Sequence, residues 1–191
     1  MKKGLLIILS GPSGVGKGTI RQKVMENTTL NLWYSISLTT RKQRPGEMNG
    51  REYWFVSEKE FQRNLEEGNL LEHAAFVEHH YGTPKDKEEE MRAKGYNVFL
   101  EIDVKGAKQV MEKCPDAVSI FLLPPSFQEL ENRIRGRSTE EEKVIEERLA
   151  KAKSEIALAK NYKYQVVNDS IDRASKEIIS IIAHEIACAK D

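Results

Sequence analysis

The feature that most constrains this chain is a glycine-rich segment, residues 11–19, that directly follows a strongly apolar run at residues 5–9. The apolar run is too short to span a membrane and is typical of a buried parallel strand. After the segment, Ile20, Val24 and Met25 recur at helical spacing. This order of strand, glycine-rich loop and helix predicts a loop whose backbone N–H groups point at the oxygens of a bound phosphate.

The predicted loop departs from the usual phosphate-loop pattern at one position. Its members are Gly11, Pro12, Ser13, Gly14, Val15, Gly16, Lys17, Gly18 and Thr19. A Ser or Thr normally follows the lysine, and its hydroxyl contacts magnesium. Here Gly18 stands at that position, so the hydroxyl is absent or moved to Thr19. We therefore expect magnesium to be held mostly by phosphates and water, with Thr19 and Glu101 as candidate contacts.

The charge composition argues against two classes of partner. The 191 residues contain 30 Lys and Arg and 30 Asp and Glu. A general nucleic-acid or membrane-surface binder needs an excess of basic residues, so we expect neither partner. Cys114 and Cys188 lack CxxC spacing, and no leader peptide or transmembrane run is visible, which predicts a cytoplasmic protein with reduced thiols. A monomer and a homo-oligomer both stay open.

Apolar β-type runs alternate with helical patterns along most of the chain. This alternation predicts an α/β fold with a central parallel sheet flanked by helices. The segment 35–94 is more polar, interrupts the alternation and predicts an inserted lobe. We therefore expect a core formed by residues 1–34 and 95–191.

Local signals predict the elements of the inserted lobe. Residues 34–39 alternate and are rich in β-forming residues, which predicts a strand. Turn residues within 40–51 predict a loop followed by a hairpin, with residues 53–56 as the returning strand. Ser57 and Glu60 match a capping box that opens a helix. The acidic run at residues 88–90 is expected to form a solvated helix face.

Basic residues form two groups that suit phosphate chemistry. Arg41 and Arg44 follow a predicted strand, and two tyrosines of the same lobe, Tyr53 and Tyr81, could add phenol hydrogen bonds to a second phosphate group. The alternative is an ordinary exposed basic loop. Gly136 is expected to end one helix, and residues 138–142 are expected to start the next. The second group of basic residues flanks this Gly- and Glu-rich hinge and could close as a flap over a phosphoryl group, or simply pair with nearby glutamates; its members are Arg133, Arg135, Arg137 and Arg148.

Carboxylates also stand at predicted strand ends. Glu101 and Asp103 end a buried run, and alternate residues of a strand face one side, so both could face magnesium-bound water or substrate. The alternative is a solvated strand end. Glu72 lies in the lobe with Ser37 and Thr83, and a carboxylate can accept two parallel hydrogen bonds from a guanine edge, which adenine cannot donate. For an isolated glutamate the alternative is a surface charge.

These ordered motifs resemble the guanylate kinase family over essentially the whole chain. Beside the glycine-rich loop, the resemblance rests on Ser37-Leu38-Thr39-Thr40-Arg41, Arg44-Pro45-Gly46-Glu47, Asn49-Gly50, Tyr53, Glu72, Tyr81-Gly82-Thr83, Glu101-Ile102-Asp103, Gly136-Arg137 and Val167-Asn168-Asp169. It implies a single domain of the P-loop kinase fold, with residues 35–94 as a GMP-binding lobe and a small lid at about residues 127–146. It also implies phosphoryl transfer from ATP to GMP, aided by Mg²⁺; use of dGMP stays open.

The resemblance implies a role for each candidate residue. The residues implied in catalysis are Lys17, Arg41, Arg133, Arg137 and Arg148. ATP is expected on residues 11–19, with Arg137 and Asn168 near the adenine. The residues implied in GMP binding are Ser37, Arg41, Arg44, Tyr53, Glu72, Tyr81, Thr83, Glu101 and Asp103.

Two alternatives remain open from the sequence. The first is a kinase for another nucleoside monophosphate, such as AMP or CMP, against which Glu72 with Ser37 and Thr83 favours GMP. The second is a non-catalytic guanylate-kinase-like interaction module, against which the intact loop with Lys17 and the arginines favours an enzyme.

Overall fold

The computed structural model describes residues 2–76, 78–137 and 141–189, except for the side chains of Phe76 and Arg137. In these residues the strands are β1 (Leu6–Ser10), β2 (Leu32–Tyr34), β3 (Leu38–Thr39), β4 (Trp54–Phe55), β5 (Leu70–Phe76), β6 (His79–Pro84), β7 (Asn97–Glu101), β8 (Val118–Leu123) and β9 (Tyr164–Val167). The α-helices are α1 (Lys17–Met25), α2 (Glu58–Glu66), α3 (Lys85–Ala93), α4 (Val104–Lys113), α5 (Phe127–Arg137), α6 (Glu142–Ile156) and α7 (Ile171–Cys188). No helix of the described part is long and apolar enough to cross a bilayer.

A five-stranded parallel sheet forms the centre of the fold, in the order β2-β7-β1-β8-β9. All five residues of β1 are buried, as expected for a strand covered on both faces. Ile7 and Leu9 pack with residues of α1 and α7, whereas Leu6 and Ile8 pack with residues of α4 on the other face. The predicted α/β fold with a central parallel sheet flanked by helices is confirmed.

The segment that interrupts the alternation forms a second sheet, in the order β4-β3-β6-β5. Its small apolar cluster contains Leu38, Phe61 and Leu70. The predicted capping box is present at the start of α2, where Glu60 N donates to Ser57 Oγ at 3.2 Å and Glu60 Oε2 accepts from Ser57 N at 3.0 Å.

The predicted hairpin is wrong, because β3 and β4 pair in parallel with Leu38 opposite Trp54. The residues between them therefore form a crossover and not a tight turn. The predicted strand at residues 34–39 is also divided. Ser35 N still donates to Phe99 O at 3.0 Å, whereas Leu38 pairs with Gly82, so residues 35–37 join the two sheets.

Two helix predictions also differ from the structure. Glu88 is 1% exposed, because α3 turns this position toward the core and Ser35 Oγ donates to its carboxyl. The end of the preceding helix is expected at Gly136, and α5 is described one residue further, to Arg137. The expected start of the next helix at 138–140, within the predicted lid, lies outside the described residues.

Candidate active site

The glycine-rich loop turns sharply between β1 and α1. Gly16 has φ 99° and ψ 25°, a left-handed conformation that favours glycine, and a Cβ there would lie 2.8 Å from Asn168 Nδ2. Helix α1 then begins at Lys17 without a side-chain cap. Its first N–H groups therefore suit an anion at the positive end of the helix, which fits the phosphates of a nucleotide.

Lys17 folds back over this loop. Its Nζ donates to Gly11 O at 2.6 Å and to Pro12 O at 3.2 Å. Burial lowers the pKa of Lys17, while the negative charges of Glu101, Glu155 and Asp103 act to raise it. The ammonium is thus placed among carboxylates beside the mouth of the loop.

Two cavities flank the loop. One is a cleft of about 410 Å³ between the two sheets, lined by Gly11, Ser13, Lys17, Tyr34, Ser37, Glu52, Tyr53, Glu72, Ala74, Tyr81, Glu101, Ile102, Asp103, Lys151 and Glu155. The other has about 360 Å³ and is lined by Gly14, Gly16, Thr19, Arg133, Asn168, Asp169 and Ile171. Lys17 and most candidate residues of the lobe thus share one cleft, and Asn168 lies across the loop from them.

Glu72 is a buried carboxylate in the cleft, with 5% of its surface exposed. Thr83 Oγ1 donates to Glu72 Oε1 at 2.7 Å. Burial raises the pKa of Glu72 to about 7, and the charge of Asp103 acts in the same direction. Ser37 lines the same cleft. The alternative of a surface charge is therefore wrong for Glu72.

Gly106 lies against the Glu72 carboxylate and was not among the candidate residues. A Cβ at Gly106 would lie 2.5 Å from Glu72 Oε2 and 3.3 Å from Asp103 Oδ1. Any larger residue at this point of α4 would require the Glu72 carboxylate to shift. The signal in the sequence was a glycine inside an otherwise good helical pattern.

Three of the four residues predicted for a second phosphate lie together. The Tyr53 and Tyr81 rings meet edge to face with centroids 5.7 Å apart, and Arg41 Cζ lies 5.4 Å from the Tyr53 ring centre. The Arg41 guanidinium also donates to both oxygens of Glu47, at 2.8 and 3.0 Å. Neither Arg41 nor Arg44 is among the residues that line the cleft. Arg44 is exposed, and its backbone N–H donates to Glu47 Oε2 at 2.8 Å.

Glu101 and Asp103 both line the cleft, but strand alternation is not the reason. Strand β7 ends at Glu101, whose Oε2 accepts from Arg21 Nε at 2.7 Å. Asp103 instead caps α4 by accepting from Gly106 N at 2.7 Å. Arg21 in turn lies 4.4 Å from the ring centre of Tyr34. Arg21 is thus a supporting residue that sequence analysis missed.

Two of the four predicted flap arginines, Arg133 and Arg148, contact the loop from outside. Arg135 instead donates to Glu131 Oε1 and Glu142 Oε1, each at 2.8 Å, which is the alternative of pairing with nearby glutamates. Arg133 donates to Val15 O at 3.3 Å, the carbonyl that also accepts from Asn168 Nδ2 at 2.9 Å. An Arg148 guanidinium nitrogen lies 3.2 Å from Ser13 Oγ. The side chain of Arg137 falls outside the described part of the chain.

The two candidate magnesium contacts do not lie together. Thr19 lines the second cavity, whereas Glu101 lines the cleft. A Cβ at Gly18 would lie 3.8 Å from Glu101 Oε1, so position 18 is the one that faces this carboxylate. Within the described ranges no group of three or more His, Cys, Asp or Glu side chains could hold a metal ion.

Comparisons with known proteins agree with this arrangement. The sequence model described as "Guanylate kinase" matches residues 3–185. Curated guanylate kinases of Lactiplantibacillus plantarum and Enterococcus faecalis are 49% and 51% identical over 184 residues, covering 96% of this chain and 89% and 90% of those proteins. A crystal structure of guanylate kinase from Anaplasma phagocytophilum has a TM-score of 0.78 at 34% identity, covering 97% of this chain and 87% of that one. The chain therefore belongs to the guanylate kinase family.

Proposed function

We propose that the chain transfers the γ-phosphoryl group of ATP to GMP, giving ADP and GDP. The observation that carries this proposal is the position of Glu72, a buried carboxylate in the same cleft as Lys17 and the glycine-rich loop. The guanine edge offers two adjacent N–H donors to such a carboxylate. Adenine presents an acceptor there and would leave a buried charge unpaired, which is costly.

Each nucleotide has its own set of residues in this proposal. The ATP phosphates lie on residues 11–19, with the nucleoside toward Asn168 and Arg137. The GMP phosphate lies against Arg41, Tyr53 and Tyr81, and Arg44 reaches it from its exposed position. Glu72, Ser37, Thr83 and Asp103 read the guanine. Domain boundaries follow the same division, with residues 35–94 as the GMP-binding lobe and about 127–146 as the lid.

The reaction requires positioning and charge neutralisation more than proton transfer. The attacking GMP phosphate oxygen is already largely anionic near neutral pH, so no general base is needed. Lys17 and the arginines Arg41, Arg133, Arg137 and Arg148 bring the two anionic nucleotides together and offset the charge of the transferred group. Closure of lobe and lid excludes water, which would otherwise compete as acceptor.

Magnesium is expected to bind mainly through ATP phosphates and water. Bound there, it would neutralise part of the phosphate charge. Because position 18 lacks a hydroxyl, Glu101 is the side chain of this chain that would contact the ion or its bound water.

We also infer a cytoplasmic enzyme with no nucleic-acid or membrane partner.

A coupled assay of ADP release tests the proposal, with GMP, dGMP, AMP, CMP and dTMP as acceptors. Turnover that is fastest with GMP or dGMP is the expected result. Preference for AMP, CMP or dTMP would favour another nucleoside monophosphate kinase. Absence of turnover with every acceptor, in protein that binds nucleotide and unfolds cooperatively, would favour an interaction module.

A further inference from the structure

Helix α6 presents a second cation and a buried carboxylate to the cleft. Lys151 and Glu155 both line the cleft, and Lys151 Nζ lies 3.6 Å from Glu155 Oε1, one helical turn away. Arg148 lies three positions before Lys151 and contacts Ser13. Because positions three and four apart share a helix face, these side chains of α6 all face the glycine-rich loop.

This helix face brings a second ammonium group into the cleft that Lys17 lines, since Lys17, Lys151 and Glu155 are all lining residues. Two ammonium groups in one cleft repel each other, and an anion between them relieves that repulsion. Glu155, which is 7% exposed, supplies one such negative charge. A phosphate group on the loop would supply another.

We propose that Lys151 is a further phosphate-binding residue, which contacts the outer phosphates of the nucleotide on the glycine-rich loop, and that Glu155 positions it. The inference rests on the phosphoryl transfer proposed above. The Lys151 side chain is 43% exposed, and a lysine is a point charge on a flexible stem, which suits a contact with a phosphate that enters the cleft.

The test compares Lys151→Gln with Lys153→Gln, which removes the same charge from an exposed position of α6 that is absent from the cleft lining. Lys151→Gln should lower kcat/KM for ATP about tenfold and raise the Kd of the non-hydrolysable β,γ-imido analogue of ATP by a similar factor. KM for GMP should stay within about twofold, since Lys151 does not contact the acceptor in this scheme. Lys151→Arg should restore most of the loss, and Lys153→Gln should behave as wild type.

A second variant tests the positioning role. Glu155→Gln should reproduce part of the loss in analogue affinity, and the double variant with Lys151→Gln should lose little more, because both act through one ammonium. Unchanged analogue affinity in a folded Lys151→Gln protein would overturn the proposal. An equal loss in Lys153→Gln would also overturn it, since a general effect of helix charge would then explain the result.

The two proposals fail in different ways. A wild-type protein that turns over no acceptor contradicts the proposed function. Analogue binding by calorimetry remains measurable in that case and decides the role of Lys151 by itself.

Discussion

Replacing Glu72 by Gln should stabilise the folded protein at alkaline pH and impair the use of GMP. Burial raises the pKa of Glu72 from 4.5 to about 7, which corresponds to about 3 kcal/mol. Between these pH values the folded protein keeps a proton that the unfolded chain releases. The free energy of unfolding therefore falls as pH rises from about 4.5 to above about 7, and a neutral glutamine escapes that loss.

Urea unfolding at about pH 5 and about pH 8 measures the effect. The free energy of unfolding of Glu72→Gln, taken relative to that of the wild type, should be about 2 kcal/mol higher at the upper pH than at the lower one. The matched control is Glu88→Gln. Glu88 is also buried, with its pKa raised to about 7 by burial and with Oε2 lacking a hydrogen-bond partner, but it does not line the cleft. It should show a similar pH-dependent gain.

Steady-state kinetics separate the two variants. Glu72→Gln should lose about 100-fold in kcat/KM for GMP, because hydrogen bonds to a charged acceptor are lost, and Glu88→Gln should lose little. In the wild type, kcat/KM for GMP should rise with pH through about 7 as Glu72 ionises. Wild-type kcat/KM for GMP in Glu72→Gln would refute the guanine assignment. A stability difference independent of pH would refute the inferred cost of burying the carboxylate.

Three further substitutions test single features of the site. Lys17→Ala should nearly abolish turnover in single-turnover assays while the protein stays folded by circular dichroism, and wild-type turnover would contradict the loop assignment. Gly106→Ala should raise KM for GMP with little change in KM for ATP, because its Cβ would meet Glu72 Oε2 at 2.5 Å. Gly18→Ser should fold normally, since the new Cβ lies 3.8 Å from Glu101 Oε1, and should lower the Mg²⁺ concentration for half-maximal rate.

The core of the fold was predictable because its signals are local. Strand β1 and the helix after it follow from an apolar run, glycines and helical spacing within about 20 residues of sequence. The second sheet was harder. Whether β4 returns as a hairpin or crosses over depends on which strand it meets, and its pairing with β3 is parallel. The exposure of Glu88 was predicted wrongly for a related reason. Only the packing of α3 decides which residue of an acidic run is buried.

The site was predictable where residue type limits the chemistry. Lys17, Glu72 and the tyrosines of the lobe were named from motifs, and the structure brings them into one cleft. Lys151 and Glu155 carry no motif. They enter the cleft because α6 lies over the loop. The spacing of residues along a helix does not reveal which part of the fold that helix packs against.

Three cations of the site share one local arrangement that bears on selectivity. Each is paired with a carboxylate from its own segment, four or six positions away, in the pairs Arg41–Glu47, Arg133–Glu129 and Lys151–Glu155. Such pairs hold each cation in place and leave the site without a large positive excess, in keeping with the balanced charge of the chain. In the proposed function, a phosphate that reaches Arg41 or Arg133 would compete with the carboxylate bonded to that arginine, so only the difference between the two interactions would contribute to binding. The Lys151–Glu155 pair is wider, at 3.6 Å, so Lys151 could contact a phosphate while Glu155 still orients it. Doubly charged phosphate groups would win the competition at the arginines more readily than singly charged anions, which would favour nucleotides over metabolite carboxylates.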